Sequence, residues 1–369
     1  MKYRKDIDGL RAMAVLPVVF FHAGFSFFNT GFLGVDIFFV ISGFLITSLI
    51  LKDISLNKFS AFNFYERRAR RILPALILIC IISIPVSWII LFPSDLSDFG
   101  KSLFTTITFS SNFLFWQDAG YFDIESELKP MLHTWSLSVE EQFYILYPLF
   151  LILFWKIGYK KIIIFLTFIF ITSFIVSNWA SIYKPDANFY LLPTRGWEIL
   201  AGAIAAFFLK FYYIHIKSIF ITNLLGFIGL FLIIITFVLF SPETPSPGFK
   251  TLPLVIGTVI LLVFNNDSSL IGKLLSFKPI VFIGLISYSW YLWHFPVLAF
   301  AKNNSLTGLS DEYLIFLILI SLVAAFLSWK YIERPFRDPE IIKRNKFLFI
   351  LFSSTLTVLI CSILFIFNT

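Results

Sequence analysis

The chain is dominated by apolar runs of roughly 15 to 22 residues, about the length an α-helix needs to cross a bilayer core of ~30 Å. They read at about 10–28, 32–51, 72–92, 134–155, 161–180, 190–209, 219–240, 250–264, 279–300, 313–332 and 347–367. With no water to satisfy the main chain inside lipid, such segments have to be helices or strands of a closed barrel, and runs this long and continuous are helical. The composition agrees: of 369 residues, 58% are hydrophobic, 14% are charged and 49 are Phe, with a mean hydropathy of +0.87. A soluble domain of this length needs more polar surface. The expected fold is an all-α polytopic membrane protein: a bundle of about ten transmembrane helices plus an eleventh at the C-terminus. The first run has no small-residue cleavage site and is not a signal peptide. Cys80 and Cys361 lie within apolar runs and suggest neither a disulfide framework nor a metal site.

The net charge of +7 raises nucleic acid as a partner, but its distribution points to topology. If the N-terminus is cytoplasmic, the inner segments are "KYRK", "KDISLNKFSAFNFYERRARR", "KIGYKK", "KFYYIHIK", "GKLLSFK" and "ERPFRDPEIIKRNK", holding 21 of the 29 basic residues. The outer segments hold five: Lys101, Lys129, Lys184, Lys250 and Lys302. This asymmetry is what the positive-inside rule requires, so nucleic acid is set aside and the lipid bilayer is the partner. The stretch 100–116, "GKSLFTTITFSSNFLFW", is only moderately apolar and rich in Ser, Thr and Asn. It is read as a re-entrant or interfacial segment on the outer side, tolerable when buried in protein.

Ionisable groups inside membrane helices are costly and tend to line functional cavities. Arg11 and His22 lie eleven residues apart on the first span, which puts both on one helix face roughly 16 Å apart along the axis. Arg11 reads either as an interface anchor or as a functional cation, and His22, two-thirds of the way along its span, as a packed ring or a proton carrier. Asp36 lies near the outer end of the second span. His133 opens the fourth, with Glu140 seven residues on and nearly on the same face; Glu141 points about 100° away. Arg195 and Glu198 are i,i+3 and expected to pair. Tyr291 and His294 belong to "SYSWYLWHFP", whereas His215 falls in a basic loop and reads as solvated. These groups reach similar depth, which suits one polar cavity opening outward; a hydrogen-bonded network fixing helix packing is the plainer reading. Just before the third span, Arg67, Arg68 and Arg71 of "YERRARRILP" can share a face. They suit lipid headgroups and orientation, or a phosphate. Gly31, Gly34 and Gly43 fit no phosphate loop and are expected to allow close helix packing.

Taken together, "DGLRAMAVLPVVFFH", "GFLGVDIFFVISGFLIT", "FYERRARRILPA", "HTWSLSVEEQFYILYP", "RGWEILAG", "ISYSWYLWHFPV" and "ERPFR" resemble, in order, the blocks of membrane acyltransferase family 3, the bacterial O-acyltransferases that modify surface polysaccharides. The resemblance implies an O-acyltransferase of the bacterial inner membrane that takes an acyl group, acetyl by family habit, from cytosolic acetyl-CoA or another acyl-CoA. The acceptor is then a hydroxyl of a carbohydrate: lipopolysaccharide O-antigen, exopolysaccharide, peptidoglycan or a lipid-linked sugar. No metal is implied. The family's Arg-x10-His signature falls on Arg11 and His22, its paired arginines on Arg67, Arg68 and Arg71, and its S-x-E-x-Q-F-Y glutamate on Glu140. On this basis His22 is expected to act as general base or acyl carrier, with Glu140 or Asp36 assisting. Arg11, Arg67, Arg68 and Arg71 are expected to bind the donor, and His133, Arg195, Glu198, Tyr291 and His294 the acceptor. The expected domains are a ten-helix acyltransferase domain, 1–340, and the eleventh helix, 341–369, with its C-terminus outside. Many relatives carry a soluble SGNH-type esterase domain after that helix; it is expected to be absent here, so that such an activity would come from a periplasmic partner. The competing function is a transporter or flippase of a glycan precursor, against which the sequence shows no internal repeat or paired broken helices.

Overall fold

The computed structural model describes residues 3–119, 123–212, 218–241, 243–305 and 308–367; His215 lies outside them. The described residues are helical, with no strand among them. The first three helices are α1 (Lys5–His22), α2 (Gly34–Ser55) and α3 (Ala61–Ile90), followed by the shorter pair α4 (Pro93–Ile107) and α5 (Ser111–Asp118). Then come α6 (Thr134–Phe154), α7 (Tyr159–Tyr183), α8 (Pro185–Tyr190) and α9 (Leu192–Phe211). The next four are α10 (Ile219–Leu239), α11 (Leu252–Phe264), α12 (Leu270–Leu275) and α13 (Lys278–Asn303). The chain ends with α14 (Asp311–Ser328), α15 (Arg334–Arg337) and α16 (Arg344–Phe367).

All eleven expected spans fall on helices. Eight helical segments among the described residues are long and apolar enough to cross a membrane: Gly31–Ser55, Ala61–Ile90, Thr134–Ile157, Tyr159–Tyr183, Ile219–Leu239, Lys278–Asn303, Asp311–Arg337 and Arg344–Phe367. The other three are α1 and α9, which carry buried charges, and α11, which has 13 residues. The chain is therefore an all-α polytopic membrane protein.

Two boundaries differ from the sequence reading in ways that matter for function. The first helix starts at Lys5 and stops at His22, so His22 ends its helix instead of lying two-thirds along it. Asp6 and Asp8 sit in the first turn, where carboxylates favour a helix N-terminus. Gly24, at φ +90°, reverses the chain in a conformation that glycine adopts without strain. The third helix starts eleven residues early, so the arginine cluster lies inside α3 and not in a loop. Ser60 caps it by accepting a hydrogen bond from the Asn63 amide at 3.4 Å, and no breaker follows before Pro74. The 100–116 stretch resolves into α4 and α5, broken at Phe109, whose φ is +52°.

By contacts the chain divides into two compact units, 1–59 with 139–285 and 60–138 with 286–369, so that the division falls within α6 and α13. In the first unit, α2 and α9 pack backbone to backbone. A Cβ on Gly43 would collide with the Ile199 carbonyl oxygen, and one on Gly202 with that of Val40. Gly31 and Gly34 do the same against the carbonyls of Pro17 and Ala14 in α1. Such close approach substitutes for the hydrophobic drive that lipid cannot supply between helices. The core around this contact holds Ile37, Val40, Phe44, Trp197 and Ala206. In the second unit α4 packs on α16, with Gly100 against Ser362 and Phe365. The polar residues of the 100–116 stretch find partners there. Thr106 and Ser111 hydrogen-bond Thr134 at 2.9 and 3.0 Å, and Ser111 also meets Ser138 at 2.7 Å. This explains why the segment is only moderately apolar: its buried face mixes the core residues Leu103 and Ile107 with a ladder of hydroxyls.

Gly202→Ala is expected to lower the thermal midpoint in detergent, at a cost of about 1–3 kcal/mol for overpacking. Gly196→Ala, on the same helix, is the control. Its Cβ would meet only the Ser173 hydroxyl, at 3.5 Å, and removing a helix-interior glycine should leave the midpoint unchanged or raise it. Equal effects of the two substitutions would refute the backbone-contact account.

Candidate active site

The buried ion cluster of the first unit has a structural cause. Arg195 sits in the first turn of α9, fully inside the protein, with its side chain 2% exposed. Its Nη1 donates to Asp36 Oδ1 of α2 at 3.0 Å and to Glu198 Oε1 and Oε2 at 3.0 and 3.3 Å. Its Nε donates to the Phe189 carbonyl at 3.0 Å, and the Phe189 ring lies 5.0 Å from the guanidinium. The expected Arg195–Glu198 pair is present. Asp36 goes to the same cation: one oxygen accepts from Arg195, and Oδ2 makes no well-formed hydrogen bond. Asp36 thus serves the buried guanidinium of Arg195 rather than His22, a buried cation being costly to leave without a carboxylate.

Glu140 on α6 accepts from Ser42 Oγ at 2.7 Å, with the Tyr144 hydroxyl at 3.5 Å from its other oxygen. Five residues further along α2 and seven along α6, Thr47 donates to Tyr147 at 3.0 Å. Glu140 is half-buried, whereas Glu141 is buried. Arg11 is buried in α1 and faces Asp8 at 3.5 Å. Glycines crowd the main chain beside it: Gly9 against the Leu275 carbonyl and Gly284 against that of Asp8. His22 is half-buried at the last turn of α1, its ring 5.0 Å from that of Phe21. Arg11 and His22 are therefore on one continuous helix, as the spacing requires.

In the second unit the structure sorts the arginines of α3. Arg70 is buried and structural. It donates to Glu66 at 2.9 Å and to the carbonyls of Ile342 and Phe336 at 2.9 and 3.2 Å, and its guanidinium lies 4.3 Å from the centre of the Phe347 ring. It ties α3 to the chain around α15 and α16. Arg67 is exposed and Arg68 and Arg71 are half-buried. These are the three that helical geometry puts on one face.

His133, Tyr291 and His294 come together. The His133 ring is 5.4 Å from Tyr291 and 5.8 Å from His294, and it stacks on Phe295 at 5.4 Å. The Tyr291 hydroxyl is 2.7 Å from the His133 carbonyl and 2.7 Å from Ser136 Oγ. His294 Nδ1 lies 2.7 Å from the Tyr291 carbonyl and 3.2 Å from that of Trp290. Carbonyl oxygens only accept, so Nδ1 carries the proton and the lone pair of the neutral ring is on Nε2. Both histidines are buried, and neither nitrogen of His133 makes a well-formed hydrogen bond. The chemistry available is a tautomer-locked base beside a second imidazole.

Seven blocks in order, carried on helices that place their polar residues inward, lead to one comparison. The sequence model of an acyltransferase domain, that of family 3, matches residues 4–366. The chain belongs to acyltransferase family 3. Two family members illustrate its relatives. The peptidoglycan O-acetyltransferase OatA of Listeria monocytogenes is 31% identical over 350 residues, 91% of this chain and 56% of the relative. The O-acetyltransferase OatA of Staphylococcus aureus is 31% identical over 357 residues, 91% of this chain and 57% of the relative. The chain thus spans a little over half the length of these relatives. No solved structure matches it.

Several residues of this family 3 chain were missed by sequence reasoning. Glu66–Arg70 is an i,i+4 pair and was open to detection by spacing alone. Ser289, which donates to the fully buried Glu333 at 2.6 Å, pairs across 44 residues and leaves no local signal. Arg337 of the "ERPFR" block pairs with the same glutamate, so that block is an internal anchor.

Arg195→Leu is expected to destabilise strongly, by about 3–5 kcal/mol, because it strands two buried carboxylates. Adding Asp36→Asn and Glu198→Gln to it should recover part of the loss in detergent thermal melts. A triple variant no more stable than Arg195→Leu would show that charge is not what the cluster balances.

Proposed function

We propose that the chain transfers an acyl group, acetyl in the simplest case, from a cytosolic acyl-CoA to a hydroxyl of a cell-envelope carbohydrate. On this reading the N-terminus is cytoplasmic and the membrane is the bacterial cytoplasmic one. The observation that carries it is His22 at the end of the same helix that buries Arg11 three turns earlier, in a chain of this family. The basic bias of the loops and the O-acetyltransferase names of the relatives support the same reading.

With that orientation, Arg67, Arg68 and Arg71 lie towards the cytoplasmic end of α3, where guanidinium forks suit the phosphates of the donor's nucleotide. Arg11 adds a cation partway into the bundle. His22 lies towards the far side. In one step, its imidazole takes the proton of the acceptor hydroxyl as that oxygen attacks the thioester carbonyl. The C–S bond breaks, an O-acyl ester forms, and the departing thiolate recovers a proton. In two steps, the imidazole first takes the acyl group and then yields it to the hydroxyl. Glu140 is the carboxylate assigned to assist. Asp36, Arg195 and Glu198 hold α2 against α9 on the acceptor side, and His133, Tyr291 and His294 contact the acceptor. An SGNH-type partner in the periplasm would act on the product or complete its delivery.

His22→Ala should abolish transfer of labelled acetyl from acetyl-CoA to envelope glycan, with unchanged insertion and melting. Normal turnover in that variant would remove His22 from the chemistry, and wild-type protein that leaves no label on glycan would favour a transporter. Replacing Arg67, Arg68 and Arg71 by Gln should raise the KM for acetyl-CoA about tenfold or more while sparing the KM for acceptor, each lost charge-assisted bond being worth ~1.5–3 kcal/mol. An unchanged donor KM would return these arginines to a topological role.

A further inference from the structure

A cleft in the second unit has no role in the mechanism above. It lies where the end of α3, the first turns of α4, the turn 128–130 and the end of α13 meet, and its volume is about 140 Å³. That is below the ~300–1,000 Å³ of sites that enclose a drug-sized ligand, so the cleft could hold only a small part of a larger one. Its floor is apolar, formed by Leu91, Phe99 and Pro130. Its rim carries Asp95, Asp98 and Asn303.

The walls are held before any ligand arrives. Asn303 Nδ2 donates to the carbonyls of Leu128 and Ala299 at 2.7 and 2.8 Å, clamping the turn to α13. Lys302 pairs with Glu127 and Lys129 with Asp118, both at 2.6 Å. The turn is thus pinned on both sides, which lowers the ordering cost of binding. Asp95 and Asp98 are i,i+3 on α4, so their carboxylates project from one face, and both are exposed. Lys129, the cation in the lining, is committed to Asp118, and Asp98 pairs through one oxygen with the exposed Lys101 at 2.7 Å, which leaves the other oxygen of Asp98 and the Asp95 carboxylate as acceptors beside an apolar lining. That combination fits a ring with several hydroxyls on its edge and C–H groups on its face.

We propose that this cleft is the docking site for a pyranose ring of the acceptor glycan, its hydroxyls donating to Asp95 and Asp98 and its apolar face resting over Phe99 and Pro130. The proposal rests on the acyl-transfer reading and its orientation, which puts the end of α3 outside. Both walls lead from the cleft to the buried histidines. The turn 128–130 runs into His133, and α13 carries His294 nine residues, about 13 Å of helix, before Asn303.

The test uses the full chain in nanodiscs, with the double variant Asp95→Asn, Asp98→Asn. Both side chains are exposed, so the fold should tolerate the change, and a melting curve checks it. The first readout is binding of an N-acetylglucosamine tetramer without donor, by saturation-transfer NMR. The second is steady-state transfer with that tetramer as acceptor. The expected result is loss of saturation transfer and a ten- to hundredfold rise in acceptor KM, with kcat and donor KM little changed. Wild-type tetramer binding and acceptor KM in the double variant, alongside an inactive His22→Ala, would overturn the cleft while leaving acyl transfer intact. Saturation transfer seen with wild type and lost in the variant would support the cleft even if no transfer occurred. Calcium binding lost in the variant with tetramer binding retained would mark the rim as a cation site and overturn the proposal.

Discussion

The first unit depends on one buried charge. Arg195 lies in the interior with carboxylates on two helices, and no arrangement of α2 and α9 that separates them is affordable in a medium without water. The glycine contacts and the ion cluster impose the same register. Gly43 and Gly202 let the two backbones touch, and Asp36 and Arg195 join the first turns of the same two helices. Packing alone tolerates slippage between apolar helices in lipid, because the lipid is as good a partner as Leu. The added ion pair makes slippage costly, which is what a site needing fixed side chains requires.

The same logic shows which cations serve the fold. Arg70, Arg195 and Arg337 are each consumed by glutamates or carbonyls. Arg67 is exposed and Arg68 and Arg71 are half-buried on the neighbouring face of α3. A single motif therefore holds two kinds of arginine, one set buried for assembly and one set presented. The histidines divide similarly. His294 is locked in one tautomer by main-chain carbonyls, whereas His22 ends a helix and is half-buried.

Much of this is legible in the sequence, and the failures have physical causes. Each of the eleven apolar runs falls on a helix, because an apolar run of helical length has one fate in lipid. Hydropathy misplaces the ends of α1 and α3, because a hydropathy window cannot see that Asp6, Asp8 and the α3 arginines extend a helix past the apolar stretch. The Arg195–Glu198 pair follows from i,i+3 spacing, but Asp36 joining it, 159 residues away, does not. Likewise the His133–Tyr291–His294 group is seen as separate polar residues at similar depth, and only the fold makes it one cluster. The Ser- and Thr-rich stretch that looks like a failed membrane helix is a buried hydroxyl face whose partners, Thr134 and Ser138, lie on a helix it could not name in advance.

The two units also differ in what their polar groups ask of the solvent. In the first, the charges described are paired within the protein, and the half-buried groups, His22 and Glu140, lie beside helix ends and hydroxyls. In the second, the buried ring of His133 lacks a well-formed hydrogen bond, while the cleft near the end of α13 carries exposed carboxylates. A buried imidazole without such a bond is costly unless some function keeps it. Each unit holds such an imperfection, the His133 ring in the second and Asp36 Oδ2 beside Arg195 in the first, and in each the surrounding polar atoms are held by partners inside the protein.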